Sequence, residues 1–310
     1  MDFRIDLIKY GIETRFIRDI KYNNKSVIFK YGRKLYEFKK NTLTEITDGK
    51  NKIISVRKKE TNIIVKDESF EKIPPKEPGL TIFITAYKSH KWIEECLNSI
   101  YNQSWFKNND NWEVLIGVDG CYDTLNVLKK IKNNYKNIRI FMMNSNRGTY
   151  VTSNTLMELG KYQYYLRFDS DDIMKPTMVE TLMNNSKGYD MIRFKFTGFK
   201  KNINENIKIS WYSHGILFFD SKILSRLGGY DNVLCGADTY FIKRAQRIYN
   251  VKLLNQVLSY VRKHNDSLTK NKKTGGGSII RRNAIQLMEQ NYKTKNYIQR
   301  VTNTYTEIES

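Results

Sequence analysis

The sequence predicts an α/β fold in which a mostly parallel sheet is flanked by helices and is preceded by a small β-rich N-terminal domain. Two observations support this fold class. From about residue 80 onwards, apolar strand-like segments alternate with segments of helical spacing, which is typical of parallel strands joined by crossover helices. Before residue 76, short alternating segments are separated by turn residues, which indicates a small antiparallel sheet.

The first predicted domain covers residues 1–76. It contains four short apolar or alternating segments, which are SVIFKY, KLYEF, KIISV and NIIVK. The following EKIPPKEPG holds three of the four prolines in the chain and is predicted to be a linker. No residue type in this region suggests chemistry, so acceptor positioning, oligomerisation and docking of another protein all stay open as roles.

The second predicted domain covers residues 77–275 and contains the alternating pattern. Strands are predicted in LTIFITAY, WEVLIGVDG, IRIFMMN and YQYYLRFDSDD, and helices in HKWIEECLNSIYNQS, TLNVLKKIKNNY and VTSNTLMELGK. Residues 276–310 are predicted to be a C-terminal helical extension, since SIIRRNAIQLMEQNYKTKNYIQR carries one apolar stripe. Ligands of such sheets bind beyond the carboxyl ends of the strands, where the unusual polar residues of this chain cluster.

Composition restricts the class of protein. The chain has 310 residues, of which 40% are hydrophobic, which favours a globular protein over a disordered one. No apolar run approaches the roughly 20 residues that cross a bilayer, and the N-terminus lacks the apolar centre of a signal peptide. We therefore expect a cytoplasmic protein. The three cysteines lie singly, which argues against a disulfide framework or a zinc site.

The formal charge of +21 is large. Such a charge suits polyanions, an anionic membrane surface or a phosphorylated small substrate. The basic residues are spread along the chain without a recognisable nucleic-acid module, so no nucleic-acid partner is expected. Peripheral contact with an anionic membrane stays open, and the oligomeric state is not predicted.

Asp169, Asp171 and Asp172 are the strongest candidates for chemistry. They follow directly after the apolar segment YQYYLRF, at the predicted carboxyl end of a strand. Carboxylates this close repel one another unless a cation or proton compensates, and their oxygens are the ligands that Mg²⁺ or Mn²⁺ prefers. The alternative interpretation is a solvated turn that caps a helix starting near Pro176.

Other polar residues are ambiguous on their own. Asp119 ends a predicted strand, where it is either a nucleotide contact or a turn-former. Asp238 lies at a predicted helix start, where it is either a general base or an N-cap. His264 is either a metal or phosphate ligand or a surface residue. His90 and His214 are interpreted as structural.

Taken together, these segments resemble the family 2 glycosyltransferases, which have the GT-A fold. The resemblance runs from about residue 80 to 270 and depends on the order and spacing of six segments. These are TIFITAYKSHKWIEECLNSIYNQSW, VDGCYDT, NRGTYVTSN, FDSDDIMKP, LGGYDNVLCGAD and YVRKHNDSLT.

The resemblance implies a role for each matching position. Asp238 would be the catalytic base, and Asp171, Asp169 and His264 would hold Mn²⁺ or Mg²⁺. Asp119 would bind uracil, and Arg262 would engage the diphosphate or the metal. The full set of implied nucleotide-sugar contacts is Thr85, Ala86, Tyr87, Asp119, Asn146, Arg147, Gly148, Asn154, Asp169, Ser170 and Arg262.

Three positions depart from the family pattern. Val118 replaces the first aspartate of the nucleotide turn, and Ser153 replaces the usual arginine before Asn154. Ala237 replaces the glutamate that normally stands beside the base. These departures put a phosphate contact and the seating of the acceptor in doubt, whereas the base itself is present.

The implied function is inverting, metal-dependent transfer of a sugar from a nucleotide sugar, with a UDP-sugar favoured, to a hydroxyl of a glycan, lipid or protein. The basic loop NKKTGGGS could close over the donor and exclude water. One alternative is a nucleotidyltransferase, although the segment TIFITAYKSH lacks the glycine-rich, lysine-containing opening loop of that class. A second alternative is a catalytically degenerate domain that acts as a binding module or scaffold.

Overall fold

The computed structural model describes residues 76–200, 202–205, 207–265, 267, 270–294 and 301–309, together with the backbone of five strands between residues 17 and 53. The chain divides into two compact units, Met1–Phe70 and Glu71–Ser310. The division lies a few residues before the predicted boundary at residue 76.

The first unit contains the predicted antiparallel β-structure. Each of its five strands pairs antiparallel with the next along the chain. The predicted segment NIIVK lies outside the described residues. The strands are β1 (Ile17–Tyr22), β2 (Val27–Tyr31), β3 (Lys34–Lys39), β4 (Thr42–Thr47) and β5 (Lys50–Ile53).

The second unit alternates strands and helices, as the hydrophobic pattern predicts. Its strands are β6 (Glu77–Ala86), β7 (Trp112–Val118), β8 (Ile138–Met143), β9 (Tyr162–Asp169), β10 (Ile173–Met174), β11 (Met191–Phe199), β12 (Ile207–Tyr212), β13 (Leu217–Asp220), β14 (Val251–Arg262) and β15 (Tyr305–Ile308). Its helices are α1 (Ile93–Tyr101), α2 (Tyr122–Ile131), α3 (Thr149–Leu159), α4 (Met178–Asn184), α5 (Leu224–Leu227), α6 (Ala237–Ile248) and α7 (Ile279–Thr294). Short 3₁₀ turns cover Ser104–Lys107, Lys132–Asn134 and Ser221–Ile223.

One sheet of ten strands organises this unit. Its order is β10-β14-β11-β13-β9-β6-β7-β8-β15, and β12 pairs with β11. The four strands β9, β6, β7 and β8 form a parallel block, joined by the helices α1, α2 and α3 in the crossover connections. The predicted α/β sheet with flanking helices is therefore confirmed, and its parallel block brings the carboxyl ends of β6, β7 and β9 to one edge.

Two apolar layers bury the faces of the sheet. On one face, residues such as Ile82, Ile84 and Leu166 pack against α1, α2 and α4. On the other face, residues such as Phe83 and Tyr165 pack against α3, α5, α6 and α7. Because side chains alternate along a strand, a strand that is covered on both sides reads as a continuous apolar run, as β6 and β7 do in the sequence.

The predicted C-terminal helical extension is part of the second unit. Helix α7 buries Ala284 and Met288 in the second apolar layer. The sequence analysis did not predict the strand β15 that follows, which pairs antiparallel with β8 at the edge of the sheet. In the described part of the chain, no helix is both long and apolar enough to span a lipid bilayer.

Candidate functional site

The carboxyl ends of β6, β7 and β9 bring several predicted site residues together. Thr85 on β6 lies in register with Asp169 on β9 and with Gly117 on β7. The Thr85 hydroxyl is 2.6 Å from the hydroxyl of Thr149, the first residue of α3. Directly after β7, the backbone N–H of Asp119 donates to the Ala86 carbonyl at 2.9 Å. This edge is therefore the place where a ligand meets the sheet.

Asp119 joins two turns at this edge. Its carboxylate accepts from the backbone N–H groups of Arg147 (3.0 Å) and Gly148 (2.9 Å) and from the Thr152 hydroxyl (3.1 Å). Burial raises the pKa of Asp119, and these hydrogen bonds oppose the rise. Asp119 therefore orders the 146–148 turn, a contribution that the sequence analysis did not foresee.

The turn around Asn146 is close-packed. A Cβ atom at Gly120, where φ is +67°, would come within 2.7 Å of the Asn146 backbone nitrogen. Gly148 has a φ of 90° and precedes helix α3, so both turns depend on glycine backbone freedom. The Arg147 guanidinium donates to the Thr302 carbonyl at 3.2 Å.

Asn154 is committed to the protein rather than exposed to a ligand. Its amide donates to the Tyr230 and Val301 carbonyls at 2.9 and 3.1 Å and accepts from the Tyr230 backbone N–H at 2.8 Å. The side chain is fully buried, as is the neighbouring Ser153, whose hydroxyl has no hydrogen-bond partner within the described ranges. Asn154 therefore anchors the segment that leads to Asp238, and in this geometry it offers no free group to a nucleotide sugar.

Asp169 forms an ion pair with a residue that the sequence analysis missed. Arg167 Nη2 lies 3.1 Å from Asp169 Oδ1 and also donates to Thr149 at 3.1 Å, while Nη1 donates to the Gly215 carbonyl. Burial raises the pKa of Asp169, and the charge of Arg167 opposes that rise while the charges of Asp171 and Asp238 add to it. The arginine within the otherwise apolar segment YYLRFD was the available signal, because an arginine is rarely buried without a partner.

Asp171 and His264 lie against each other. The distance between Asp171 Oδ2 and His264 Nε2 is 2.6 Å, and the His264 ring packs against Trp92 with ring centroids 4.3 Å apart and the ring planes at 43°. His264 Nδ1 is buried and has no hydrogen-bond partner in the described structure. The structure thus brings together two residues that are 93 positions apart in the sequence and that were both predicted to bind metal.

The fit of a divalent cation to this edge depends on the donor atoms. Within the described ranges, no cluster of three or more His, Cys, Asp or Glu side chains is arranged around a metal position. Asp171 and His264 supply one carboxylate oxygen and one imidazole nitrogen, both of which bind Mn²⁺ in proteins. The residues fit a cation whose remaining ligands come from water or from phosphate oxygens, as is usual for such ions.

Arg262 supports the acidic turn. Its guanidinium donates to the Asp171 carbonyl at 2.9 Å and to the Glu95 carboxylate, and it stacks over Phe199. Its backbone N–H donates to Asp172 Oδ1 at 2.9 Å. These contacts orient the turn that carries Asp171, so Arg262 is held by the protein in this geometry.

The rest of the turn is buried. Burial, followed by the charges of Asp171 and Asp169, raises the pKa of Asp172 well above its usual range. Ser170 is also buried, and its hydroxyl lies 2.6 Å from the Ser89 hydroxyl. If Ser170 contacts a ligand as predicted, the contact is made by its backbone, or its hydroxyl first turns away from the Ser89 hydroxyl.

Tyr87 has a different environment. Its ring is 48% exposed and the Lys88 ammonium lies 5.4 Å from the ring centroid. An exposed aromatic ring beside a cation, directly after β6, offers a surface on which a planar ring can stack.

Asp238 lies in the first turn of α6. Its Oδ1 accepts from the Thr239 backbone N–H at 2.7 Å, whereas Oδ2 has no hydrogen-bond partner in the described structure, and the residue is half-buried. The preceding loop is fixed by the buried ion pair between Arg244 and Asp231. The helix start is therefore rigidly held, and one carboxylate oxygen is free to accept a proton.

The charge of Asp238 acts on the carboxylate edge. It raises the pKa values of Asp169, Arg167 and Arg193 relative to those they would have without it. Asp238 therefore lies near enough to these groups for its charge to act on them. Arg193 and its neighbour His214 were not assigned to the site from the sequence, and His214 was interpreted as structural; an arginine within the apolar run MIRF was the signal.

Comparisons with known proteins agree with this geometry. Residues 81–245, just over half of the chain, match the model of a family described as glycosyl transferase family 2. Over 108 residues the chain is 34% identical to chondroitin synthase from Escherichia coli. This match covers 34% of the present chain and 15% of that enzyme. The chain therefore spans only a small part of this relative's length.

Two solved structures share the fold. S. aureus TarS 1–349 in complex with UDP-GlcNAc superimposes with a TM-score of 0.53 at 17% identity, covering 61% of this chain and 60% of that chain. The mannosyltransferase PcManGT from Pyrobaculum calidifontis, in complex with GDP-Man and Mn²⁺, gives a TM-score of 0.52 at 14% identity, covering 73% and 74%. The GT-A likeness of the α/β unit is thereby confirmed, and with the matching family model it shows that the chain belongs to glycosyl transferase family 2.

Proposed function

We propose that this chain is a metal-dependent, inverting glycosyltransferase that moves a sugar from a nucleotide sugar, with a UDP-sugar favoured, to a hydroxyl of a glycan, lipid or protein. The observation that carries the proposal is the position of Asp238. Its free Oδ2 lies at the start of a fixed helix, and its charge reaches Asp169 at the end of β9. This position supports Asp238 as the base next to the edge that would hold the donor.

The donor side of the proposal depends on Asp171 and His264. They would hold Mn²⁺ or Mg²⁺, and the bound cation would neutralise charge on the diphosphate leaving group. The related fold of the mannosyltransferase that contains Mn²⁺ supports this choice of cofactor. Arg262 and Glu95 keep the acidic turn in place around these two residues.

The nucleotide would lie along the ends of β6 and β7. Tyr87 offers an exposed ring for the base, and Asp119 holds the 146–148 turn that would border it. The preference for uridine rests on the resemblance of the turn around Asp119 to the family's uracil-binding turn and on the UDP-GlcNAc complex of a protein with the same fold.

On the acceptor side, Asp238 Oδ2 would take the proton of the attacking hydroxyl. Removal of that proton in the transition state is general base catalysis, which contributes about 10²–10⁴-fold to a rate. Asp238→Asn should therefore keep donor binding and lose at least about a hundredfold in transfer. Transfer that persists at the wild-type rate would show that Asp238 is not the base.

The first experiment is calorimetric titration of UDP, with Mn²⁺ or with EDTA, into the wild type and into Asp171→Asn. Binding in the micromolar range that needs both the cation and Asp171 is the expected result. Binding that is unchanged by EDTA would remove the metal from the proposal and keep the nucleotide site. If UDP, GDP, CDP and TDP all fail to bind, the degenerate scaffold becomes the better interpretation of the domain.

A further inference from the structure

Arg193 is a buried cation without an anionic partner. Arg193 lies on β11, and only 9% of the residue is exposed to solvent. Within the described ranges it makes three long hydrogen bonds, to the carbonyls of Ser213 (3.3 Å) and Tyr212 (3.4 Å) and to His214 Nε2 (3.3 Å). No carboxylate there lies at ion-pair distance from it. Because a charge is costly to bury unless it is paired, the arginine is set up for an anion that comes from outside.

The position of Arg193 relates it to the donor edge. Ile192 on β11 pairs with Phe218 on β13, and Leu217 on β13 pairs with Arg167 on β9. By continuation of this register, Arg193 and Arg167 lie on the same face of the sheet with one strand between them. Neighbouring strands are about 4.8 Å apart, which separates the two backbones by about 10 Å. Arg193 therefore lies on the sheet face that carries Arg167, the ion-pair partner of Asp169.

His214 completes a pair of donors with Arg193. An arginine only donates, so His214 Nε2 accepts from it and the imidazole proton lies on Nδ1. Partial burial of the ring and the charge of Arg193 lower the pKa of His214, which keeps the ring neutral at neutral pH. Within the described residues, Arg193 Nη1 makes no hydrogen bond, and His214 is exposed. Arg193 Nη1 and His214 Nδ1 thus remain as donors that make no hydrogen bond within the described residues.

We propose that Arg193 and His214 bind the carboxylate of a uronic acid beside Asp238, so that the transferred sugar or the acceptor sugar is a hexuronic acid. This inference rests on the proposed function and names the substrate class of the same site. A carboxylate carries one negative charge, which one arginine balances, and its two oxygens suit a planar guanidinium. A phosphate monoester would carry nearly two charges next to Asp238, which one arginine does not balance.

The test compares ligand pairs that differ only in a carboxylate. UDP-glucuronic acid and UDP-glucose test the donor sugar. 4-Nitrophenyl β-glucuronide and 4-nitrophenyl β-glucoside, titrated in the presence of UDP and Mn²⁺, test the acceptor sugar. The proteins are the wild type, Arg193→Gln and His214→Gln. Lys130→Gln, on the exposed side of α2, is the control for loss of one positive charge.

In one of the two pairs, we expect the wild type and Lys130→Gln to bind the carboxylate compound at least about tenfold more tightly than its neutral partner, as a hydrogen-bonded ion pair allows. Arg193→Gln should reduce this preference to about threefold or less, with His214→Gln in between, and leave the affinity for UDP unchanged. The pair that shows the preference identifies the sugar that carries the carboxylate.

Two results would overturn the inference. One is UDP binding by the wild type with no preference in either pair, and the other is a preference that survives in Arg193→Gln. A wild type that fails to bind UDP at all is a separate outcome, because it contradicts the nucleotide site itself rather than the carboxylate subsite. If Lys130→Gln reduced the preference for the carboxylate compound as much as Arg193→Gln does, the preference would reflect only the general attraction of a basic protein for anions, and the inference would be wrong.

Discussion

Arg167 and Arg193 lie on the same face of the sheet and differ in their partners. Arg167 is 4% exposed and is held by the Asp169 carboxylate at 3.1 Å, by Thr149 and by Gly215. Arg193 is nearly as buried, yet in the described structure its hydrogen bonds go only to carbonyl oxygens and an imidazole nitrogen at 3.3–3.4 Å, and its guanidinium lies 5.8 Å from the centroid of the Tyr212 ring. Burial of a cation therefore does not identify a ligand site by itself; the presence or absence of a carboxylate partner does.

Their pKa values reflect the same difference. Burial acts to lower the pKa of both arginines. For Arg167 the largest single influence is burial, but Asp169, Tyr230, Tyr150 and Asp238 together more than offset it, and the pKa is raised above the usual value. For Arg193 burial prevails, and its pKa is lowered. Arg167 is therefore stabilised within the folded protein, whereas the positive charge of Arg193 is unfavourable in the absence of an anion and would be stabilised by a bound one.

The largest effect is expected for Arg167→Met. Loss of one partner of a buried ion pair costs about 3–5 kcal/mol, and we expect about 2–3 kcal/mol here. The smaller value applies because the Asp169 side chain is 35% exposed and water can partly replace the arginine. Equilibrium unfolding in urea measures the change. Lys136→Met, in a pair with Asp110 whose side chains are 63% and 91% exposed, is the control and should lose less than about 1 kcal/mol.

A double-mutant cycle of Arg167→Met with Asp169→Asn should show a coupling energy of about 1–2 kcal/mol, because the asparagine no longer leaves an unpaired charge. The same urea titrations provide the four free energies of unfolding. If the two single changes simply add, packing around Tyr150 and Tyr230 rather than the ion pair explains the role of Arg167.

The sequence was sufficient to predict the four parallel strands β6 to β9 and the helices that connect them. Strands β6 and β7 are apolar runs, and α1 and α2 carry apolar stripes, so the hydrophobic pattern of the sequence matches the burial in the fold. Helix α3 differs, because it is buried nearly all round, including the polar residues 152–155. Helix α3 ends at Gly160, as predicted. The second half of the sheet was harder, because β14 pairs in parallel with β11 about 60 residues earlier and β15 returns to β8. Such long-range pairing leaves little trace in local pattern.

For the candidate site, the sequence indicated residue types but not their partners. Asp171 and His264 were both predicted, and the structure brings them into contact. Asn154 was predicted to bind the nucleotide sugar, but its side-chain amide is hydrogen-bonded to backbone groups of Tyr230 and Val301. A buried asparagine and a ligand-binding asparagine look alike in a sequence, because only tertiary contacts decide where the amide points.

A smaller effect is expected for Arg193→Met. Replacing an unpaired buried cation by an apolar side chain of similar length removes an unfavourable charge, so stability should change by less than about 1 kcal/mol or should rise. Urea unfolding in the absence of ligands tests this, with Arg167→Met alongside. A loss as large as that of Arg167→Met would mean that Arg193 supports the fold, and the contrast between the two arginines would be wrong.

The smallest effect concerns the titration of His214. Burial is the first cause of its lowered pKa and the charge of Arg193 is the second, so Arg193→Gln should raise that pKa while keeping it below the ordinary value. NMR titration of the ring protons measures the shift, since the chain has three histidines and His214→Gln assigns the signal.

The sign of the linked stability follows from the same shift. A histidine that is harder to protonate in the folded chain contributes stability above the ordinary pKa of about 6.5, and this is lost as the pH falls through that value towards the lowered folded one. His214→Gln should therefore flatten this acid-side decline, and Arg193→Gln should reduce it, while Lys130→Gln leaves it unchanged. If Arg193→Gln left both the titration and the decline as in the wild type, the guanidinium would not lie against Nε2. The site beside Asp238 would then lose its second donor.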